Sequence, residues 1–268
     1  MLKDITLGQY FPGDSYIHRL DPRTKLLMVV VYIVALFLAT GWLGYGLVIA
    51  FLGMCIKISG IPLKSITRGL KPVMMIVAFT GILNLFFTQG THEIFTVFGF
   101  TLTWEAVERA AQMILRIMLL ITGTFLLTYT TSPIALTDGL ESLLNPLKKI
   151  KFPVHELAMM MCIALRFIPT LIEETDKIMS AQKARGADFE TGSLTDRAKA
   201  LVPILVPLFI SAFRRADELA TAMESRCYQG GDGRTKMKLL RYSLWDYEAF
   251  GIGILLIAAV CVLRSFGL

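Results

Sequence analysis

Five apolar stretches, each close to the length of a membrane crossing, decide most of what this chain can fold into. They run over about Lys25–Thr40, Trp42–Ile58, Pro72–Thr88, Arg116–Thr131 and Tyr247–Leu263. A helix needs roughly 20 apolar residues to cross the hydrocarbon, fewer when flanking residues help. Water is absent there, so the backbone must satisfy its own N–H and C=O groups, and a helix does so within one segment. The expected fold is therefore all-α, a polytopic membrane protein with about five transmembrane helices. At 54% hydrophobic and 18% charged residues, with a mean hydropathy of +0.61, the chain is more apolar than a water-soluble domain of its length.

The charged residues divide the chain. Residues 1–131 hold four of the stretches and read as an N-terminal membrane region. Residues 247–268 hold the last span. Between them, 132–246 carry dense charge of both signs and read as cytoplasmic or interfacial coupling helices. Lys57, Lys64, Arg68 and Lys71 crowd the link between the second and third stretches, and Lys3, Arg19, Arg23 and Lys25 the amino-terminal arm. The positive-inside rule then puts the amino terminus, that link and the central region in the cytoplasm of a cell-membrane protein. Five spans leave the carboxyl terminus outside. The net charge of +6 follows from this topology and implies no nucleic acid. No cleavable signal pattern opens the chain.

Two apolar patches interrupt the central region, Leu157–Ile172 and Ala200–Phe213. Both are short, and both contain proline (Pro169 in the first, Pro203 and Pro207 in the second). They read as amphipathic helices at or under the cytoplasmic interface. Ser193-Leu194-Thr195-Asp196 resembles a capping box opening a long helix to about Arg226, bent by its two prolines.

The central region also repeats itself. Ala181-Gln182-Lys183-Ala184-Arg185-Gly186 and Ala222-Met223-Glu224-Ser225-Arg226-Cys227 align at one offset of 41 positions, and Asp176 aligns with Asp217. Each copy reads as apolar helix, polar helix, arginine tip and glycine-rich break. An arginine at a helix end can simply cap it and be solvated. A matched pair on one membrane face points instead to docking, because a guanidinium forks onto carboxylates and carbonyls and anchors interfaces. Ala184, Gly186, Ser225 and Cys227 are small enough for a groove to close around each tip. The apolar face of the arms is rich in methionine (Met159, Met160, Met161, Met179 and Met223), a residue that also suits surfaces that repack against varied partners. Core packing is the plainer role for most of these methionines.

Other chemistry is missing. Cys55, Cys162, Cys227 and Cys261 are scattered, with no paired spacing for a disulfide or zinc. His18, His92 and His155 are isolated in sequence. Gly230-Gly231-Asp232-Gly233-Arg234-Thr235-Lys236 lacks the ending of a phosphate loop and reads as a linker. No cofactor or metal site is expected, and ATP would be bound by another chain. Glu173-Glu174 reads as a solvated face or an ion-pair partner for Arg214-Arg215. Carboxylates are nearly absent from the spans, which argues against a self-sufficient coupled carrier. The alternatives are a stand-alone carrier or channel, or an integral membrane enzyme using Glu173, Asp176 and Asp188; neither explains the duplicated tips.

The chain resembles the transmembrane T component of energy-coupling factor transporters. The likeness rests on the two arginine tips, on Leu165-Arg166-Phe167-Ile168-Pro169-Thr170-Leu171, and on the opening Gly8-Gln9-Tyr10-Phe11-Pro12-Gly13-Asp14-Ser15 with His18-Arg19-Leu20-Asp21-Pro22-Arg23-Thr24-Lys25. Only the arginine of the second tip matches the Ala-Arg-Gly pattern. The resemblance implies a non-catalytic coupling subunit of an ABC-type importer for vitamins or other micronutrients. It implies that Ala184, Arg185 and Gly186 meet one ATPase, and Ser225, Arg226 and Cys227 another. It further implies that the apolar helix faces, with Met159, Met160, Met161, Pro203 and Pro207, meet a membrane-embedded substrate-binding S component.

Overall fold

The computed structural model describes residues 10–87, 93–97, 100–189, 193–231 and 239–266. The helices are α1 (Tyr16–Arg19), α2 (Pro22–Leu38), α3 (Gly41–Ser59), α4 (Leu63–Phe87), α5 (Trp104–Thr130), α6 (Pro133–Leu144), α7 (Val154–Ala184), α8 (Leu194–Glu224) and α9 (Leu244–Ser265). The all-α expectation holds, with one addition. Ahead of α5, β1 (Glu93–Val97) and β2 (Phe100–Thr103) pair as a short antiparallel hairpin, with Phe95 opposite Leu102 and Thr96 opposite Thr101. The two strands, Glu-Ile-Phe-Thr-Val and Phe-Thr-Leu-Thr, are rich in β-branched and aromatic residues but too brief to register in a search for apolar runs.

Among the described residues, five helices are long and apolar enough to cross a bilayer: α3, α4, α5, α7 and α9. This is the expected number but a different set. The first predicted span forms α2, which at 17 residues sits at the short limit for a crossing. In its place stands α7, because the patch Leu157–Ile172 and the charged arm after it are one uninterrupted helix of 31 residues. Likewise α8 joins its apolar patch and arm through Pro203 and Pro207 without a break. Two further predicted spans lengthen toward their amino ends. α4 takes in the basic link back to Leu63, with Pro72 inside it, and α5 begins at Trp104.

The described residues form two compact units, one of Gly8–Leu140 with Leu240–Leu268, the other within Glu141–Leu239. In the first, α2 packs on α5 and α9, and α4 runs along α5. Its core joins Tyr32, Ala35 and Leu36 of α2 to Val48 and Leu52 of α3, Leu119 of α5 and Val260 of α9. The Tyr32 hydroxyl donates to the Leu119 carbonyl at 2.8 Å. Outward-facing side chains such as Val34, Ile49, Met75, Ile76, Phe79 and Leu255 are exposed. Hydrocarbon is the solvent that suits such a surface. Arg116 lies level with the α2–α3 turn, 5.6 and 5.7 Å from the ring centroids of Phe37 and Tyr45. That position explains why the fourth apolar run begins there.

The amino-terminal motif is a polar clasp in this unit. Asp21 caps α2 by accepting from the Arg23 N–H at 2.9 Å and pairs with its guanidinium at 2.8 Å. Pro22 then starts the helix, where no N–H is needed. Asp246 of α9 is buried and accepts from the Asp21 N–H at 2.9 Å and from both the N–H and hydroxyl of Ser243. The Lys25 ammonium, also buried, donates to the His18 carbonyl at 3.1 Å and the Thr130 carbonyl at 2.9 Å. His18, isolated in sequence, bonds Ser15 and the Phe11 carbonyl. On α1, burial and then the Glu248 carboxylate push the Tyr16 phenol above its usual value. A single run of sequence thus ties together the ends of α2, α5 and α9.

Candidate functional site

In the second unit, α7 and α8 pack side by side with opposite chain sense. Late in α7, the Gln182 amide donates to the carbonyl of Pro203, early in α8, at 3.4 Å. Midway, Glu174 accepts from Arg215 at 2.9 Å and from the Ser211 hydroxyl. Early in α7, Met159 and Ile163 face Leu219 and Met223, late in α8, across a cavity of about 530 Å³. The expected pairing of Glu173-Glu174 with Arg214-Arg215 is realised by Glu174 and Arg215.

Each helix ends in the same way. Arg185 is the C-cap residue that follows Ala184 of α7, and Gly186 comes next with φ of +89°. The Gly186 N–H returns to the Lys183 carbonyl and the Ala187 N–H to the Gln182 carbonyl, both at 3.0 Å. These two bonds define the left-handed Schellman ending, which satisfies carbonyls that the helix would leave unpaired. At the end of α8, Cys227 takes the left-handed role with φ of +56°. Its N–H returns to the Glu224 carbonyl at 2.8 Å, and the Tyr228 N–H to the Met223 carbonyl at 3.0 Å. The bonding pattern recurs atom for atom at the offset of the sequence repeat. The replacement of glycine by cysteine in the second copy has therefore not changed the backbone, although a side chain there costs about 1 kcal/mol.

Arg185 and Arg226, with Ala184, Gly186, Ser225 and Cys227, are exposed. Among the described residues no carboxylate pairs with either guanidinium. The caps leave the two cations at helix ends where the backbone has already spent its carbonyls, so each side chain is free to fork onto an incoming carboxylate or carbonyl. Arg226 and Cys227 also line the cavity with Met159 and Met223.

The second group of expected contact residues divides by exposure. Met160, Pro203 and Pro207 are exposed, whereas Met159 and Met161 are half-buried. On α8, Val202, Leu205, Val206, Phe209, Ile210 and Phe213 form an outward apolar face. They recur at every fourth position in two rows, Val202, Val206 and Ile210 in one and Leu205, Phe209 and Phe213 in the other, which lie side by side on one helix face. His155 is paired with Glu141 at 3.1 Å. Of the glycine-rich linker, only Gly230 and Gly231 lie within the described residues, and His92 lies outside them. The described residues contain no cluster of three or more His, Cys, Asp or Glu fit to hold a metal.

Comparison with known proteins gives this arrangement its context. Residues 13–237 match the CbiQ family, described as cobalt transport protein. The energy-coupling factor transporter transmembrane protein EcfT of Ruminiclostridium cellulolyticum is 52% identical, over 98% of each chain. The EcfT of Clostridium kluyveri is 57% identical over 93% of each, and that of Bacillus subtilis 48% identical over 99% of this chain and 100% of its own. The chain belongs to this family of energy-coupling factor transporter transmembrane proteins. It is a multi-pass membrane protein and the transmembrane T component of such a transporter. For a T component, the clasp of Asp21, Lys25 and Asp246 is the feature that local spacing did not expose. Asp21-Pro22 is legible as a helix start, but its buried partner Asp246 lies 225 positions away.

Proposed function

We propose that this T component is a non-catalytic scaffold that joins two cytoplasmic ABC-type ATPases to a membrane-embedded S component for uptake of a vitamin or other micronutrient. Arg185, with Ala184 and Gly186, docks on one ATPase, and Arg226, with Ser225 and Cys227, on the other. The observation that carries this reading is the pair of arginine ends that share one backbone bonding pattern and have no carboxylate partner among the described residues. Two like motors need two like sockets, and nothing in an autonomous carrier calls for a duplicated cationic helix end.

The α7–α8 pair lies along the cytoplasmic interface in this reading. α7 alone has a window apolar enough to cross, but α8, packed beside it in the opposite sense, is not among the helices that do. Laid flat, both helices present their charged tips to the cytoplasm and their apolar faces to lipid and to the S component. Met160, Pro203, Pro207 and the Phe209–Phe213 stripe are then the surface for that subunit. With α7 flat, α2 is the fifth crossing beside α3, α4, α5 and α9, so the amino terminus is cytoplasmic and the carboxyl terminus extracellular.

Arg185→Glu and Arg226→Glu test the docking. Truncating or reversing a buried interface arginine costs about 2 kcal/mol or more, roughly thirtyfold in affinity. In the complete complex, each change is expected to weaken retention of one ATPase and abolish ATP-driven uptake. A doubly reversed protein that still co-purifies with both ATPases and transports normally refutes the reading.

A further inference from the structure

We propose that Glu174 and Arg215, with Ser211, form a pivot that sets the spacing of the two arginine tips, and that this pair positions the tips for coupling. The inference rests on the docking role proposed for them. Glu174 and Arg215 are 41 positions apart, the offset of the repeat itself. Each is therefore the counterpart of the other in the duplicated helix. When two copies of a unit are related by a two-fold axis, a residue can touch its own counterpart only next to that axis. The 2.9 Å contact therefore marks the centre of symmetry of the α7–α8 pair.

The contacts on either side obey the same symmetry. Gln182 meets Pro203 on one side. Near the matching place on the other, Met223, the counterpart of Gln182, faces Ile163 across the tip cavity, one residue beyond Cys162, the counterpart of Pro203. From the pivot, each tip lies 11 residues onward, about 16 Å along its helix, and the two run in opposite directions. The tips thus stand at equal and opposite reach, about 33 Å apart along the pair.

The chemistry at the axis suits a positioning role better than a stabilising one. The two side chains are 23% and 37% exposed, so solvent screens much of their attraction. What the pair supplies is register. Arg215 and the Ser211 hydroxyl occupy both oxygens of the Glu174 carboxylate. A slide of one helix turn along the partner, about 5 Å, breaks both bonds and shifts both tips at once. At the Met159 end the two helices meet through Ile163, Leu219 and Met223, methionine and aliphatic side chains that tolerate sliding, and at the other end the Gln182 bond to Pro203 is long, at 3.4 Å.

The symmetry makes a particular rescue expected. Glu174→Arg or Arg215→Glu alone sets like charges against each other. The double reversal exchanges counterparts across the axis and restores the pair, with Ser211 accepting from the new guanidinium. Two readouts decide it. First, spin labels at Ala181 and Ala222, counterparts on the two arms, report the arm spacing in the full chain in lipid nanodiscs. A single narrow distance is expected in the parent, a broadened or displaced one in each single reversal, and recovery in the double. Second, the whole transporter in proteoliposomes reports substrate taken up per ATP hydrolysed. About a fivefold loss is expected in each single reversal, with return to within twofold in the double. A pair that merely adds stability would lower the amount of folded complex and leave both the spacing and the ratio unmoved. Single reversals that keep the parent spacing, or a double that fails to recover it, overturn the proposal. The distance measurement needs no ATPase, so it stands even if docking at the tips is refuted. Failure of the parent to retain its ATPases would count against docking alone.

Discussion

Exchanging the residues at the two left-handed positions should move the helix ends in opposite directions. Gly186 has φ of +89° and no atom within 4 Å of where a Cβ would stand. Gly186→Ala therefore meets no clash, and its cost is conformational alone, about 1 kcal/mol. Cys227 already bears that cost at φ of +56°. Cys227→Gly removes it but gains an unfolded-state entropy penalty of roughly 0.5–1 kcal/mol, leaving a smaller net stabilisation. The reporters are the amides of Ala187 and Tyr228, which close the six-residue loops of the two caps. Hydrogen exchange followed by mass spectrometry on the protein in nanodiscs reads their opening free energy directly. Since 1.4 kcal/mol is a factor of ten, Gly186→Ala should speed exchange at Ala187 about fivefold and leave Tyr228 untouched. Cys227→Gly should slow exchange at Tyr228 by about twofold or less. Unchanged protection at Ala187 in Gly186→Ala would show that the cap does not limit the opening of this end, and the shared-ending argument would fail.

Other outcomes follow from the membrane unit. A Cβ on Gly123 would lie 2.4 Å from the Tyr32 ring, so Gly123→Ala must displace that ring and its bond to Leu119; a loss of about 1–3 kcal/mol is expected, read as a lower temperature of aggregation in detergent. Lys25→Met keeps the volume but leaves the His18 and Thr130 carbonyls without their donor, and should destabilise by about 2 kcal/mol in the same assay. Asp246→Ala removes the acceptor for the Asp21 and Ser243 N–H groups and should cost at least as much. With Cys227 as the sole cysteine, a membrane-impermeant maleimide is expected to label it in inverted vesicles but not in intact cells; labelling from outside would refute the cytoplasmic placement of the tips.

Much of the candidate docking site could be read along the chain because it is local. A helix end is made by six consecutive residues, so the arginine, its small neighbours and the glycine of the first copy declare the cap, and the fixed offset declares the second. The conformation at Cys227 could not be read that way, since cysteine has no preference for positive φ; the two returning hydrogen bonds impose it. Span positions were legible from hydropathy, but their ends were not. Transfer to hydrocarbon rewards apolar residues, whereas a helix continues as long as its backbone bonds are satisfied, so α4, α5 and α7 run on through charged sequence.

Composition and periodicity by themselves determined the helical class, the membrane setting, the central charged region and its duplicated tips, because each depends on residues within one or two helical turns. Only the tertiary structure decided that α7 and α8 lie antiparallel about Glu174 and Arg215, and that Asp21, Lys25 and Asp246 close one polar clasp. Those contacts join residues from 41 to 225 positions apart. No local preference encodes such a meeting, which exists only once burial of the apolar faces has brought the helices together.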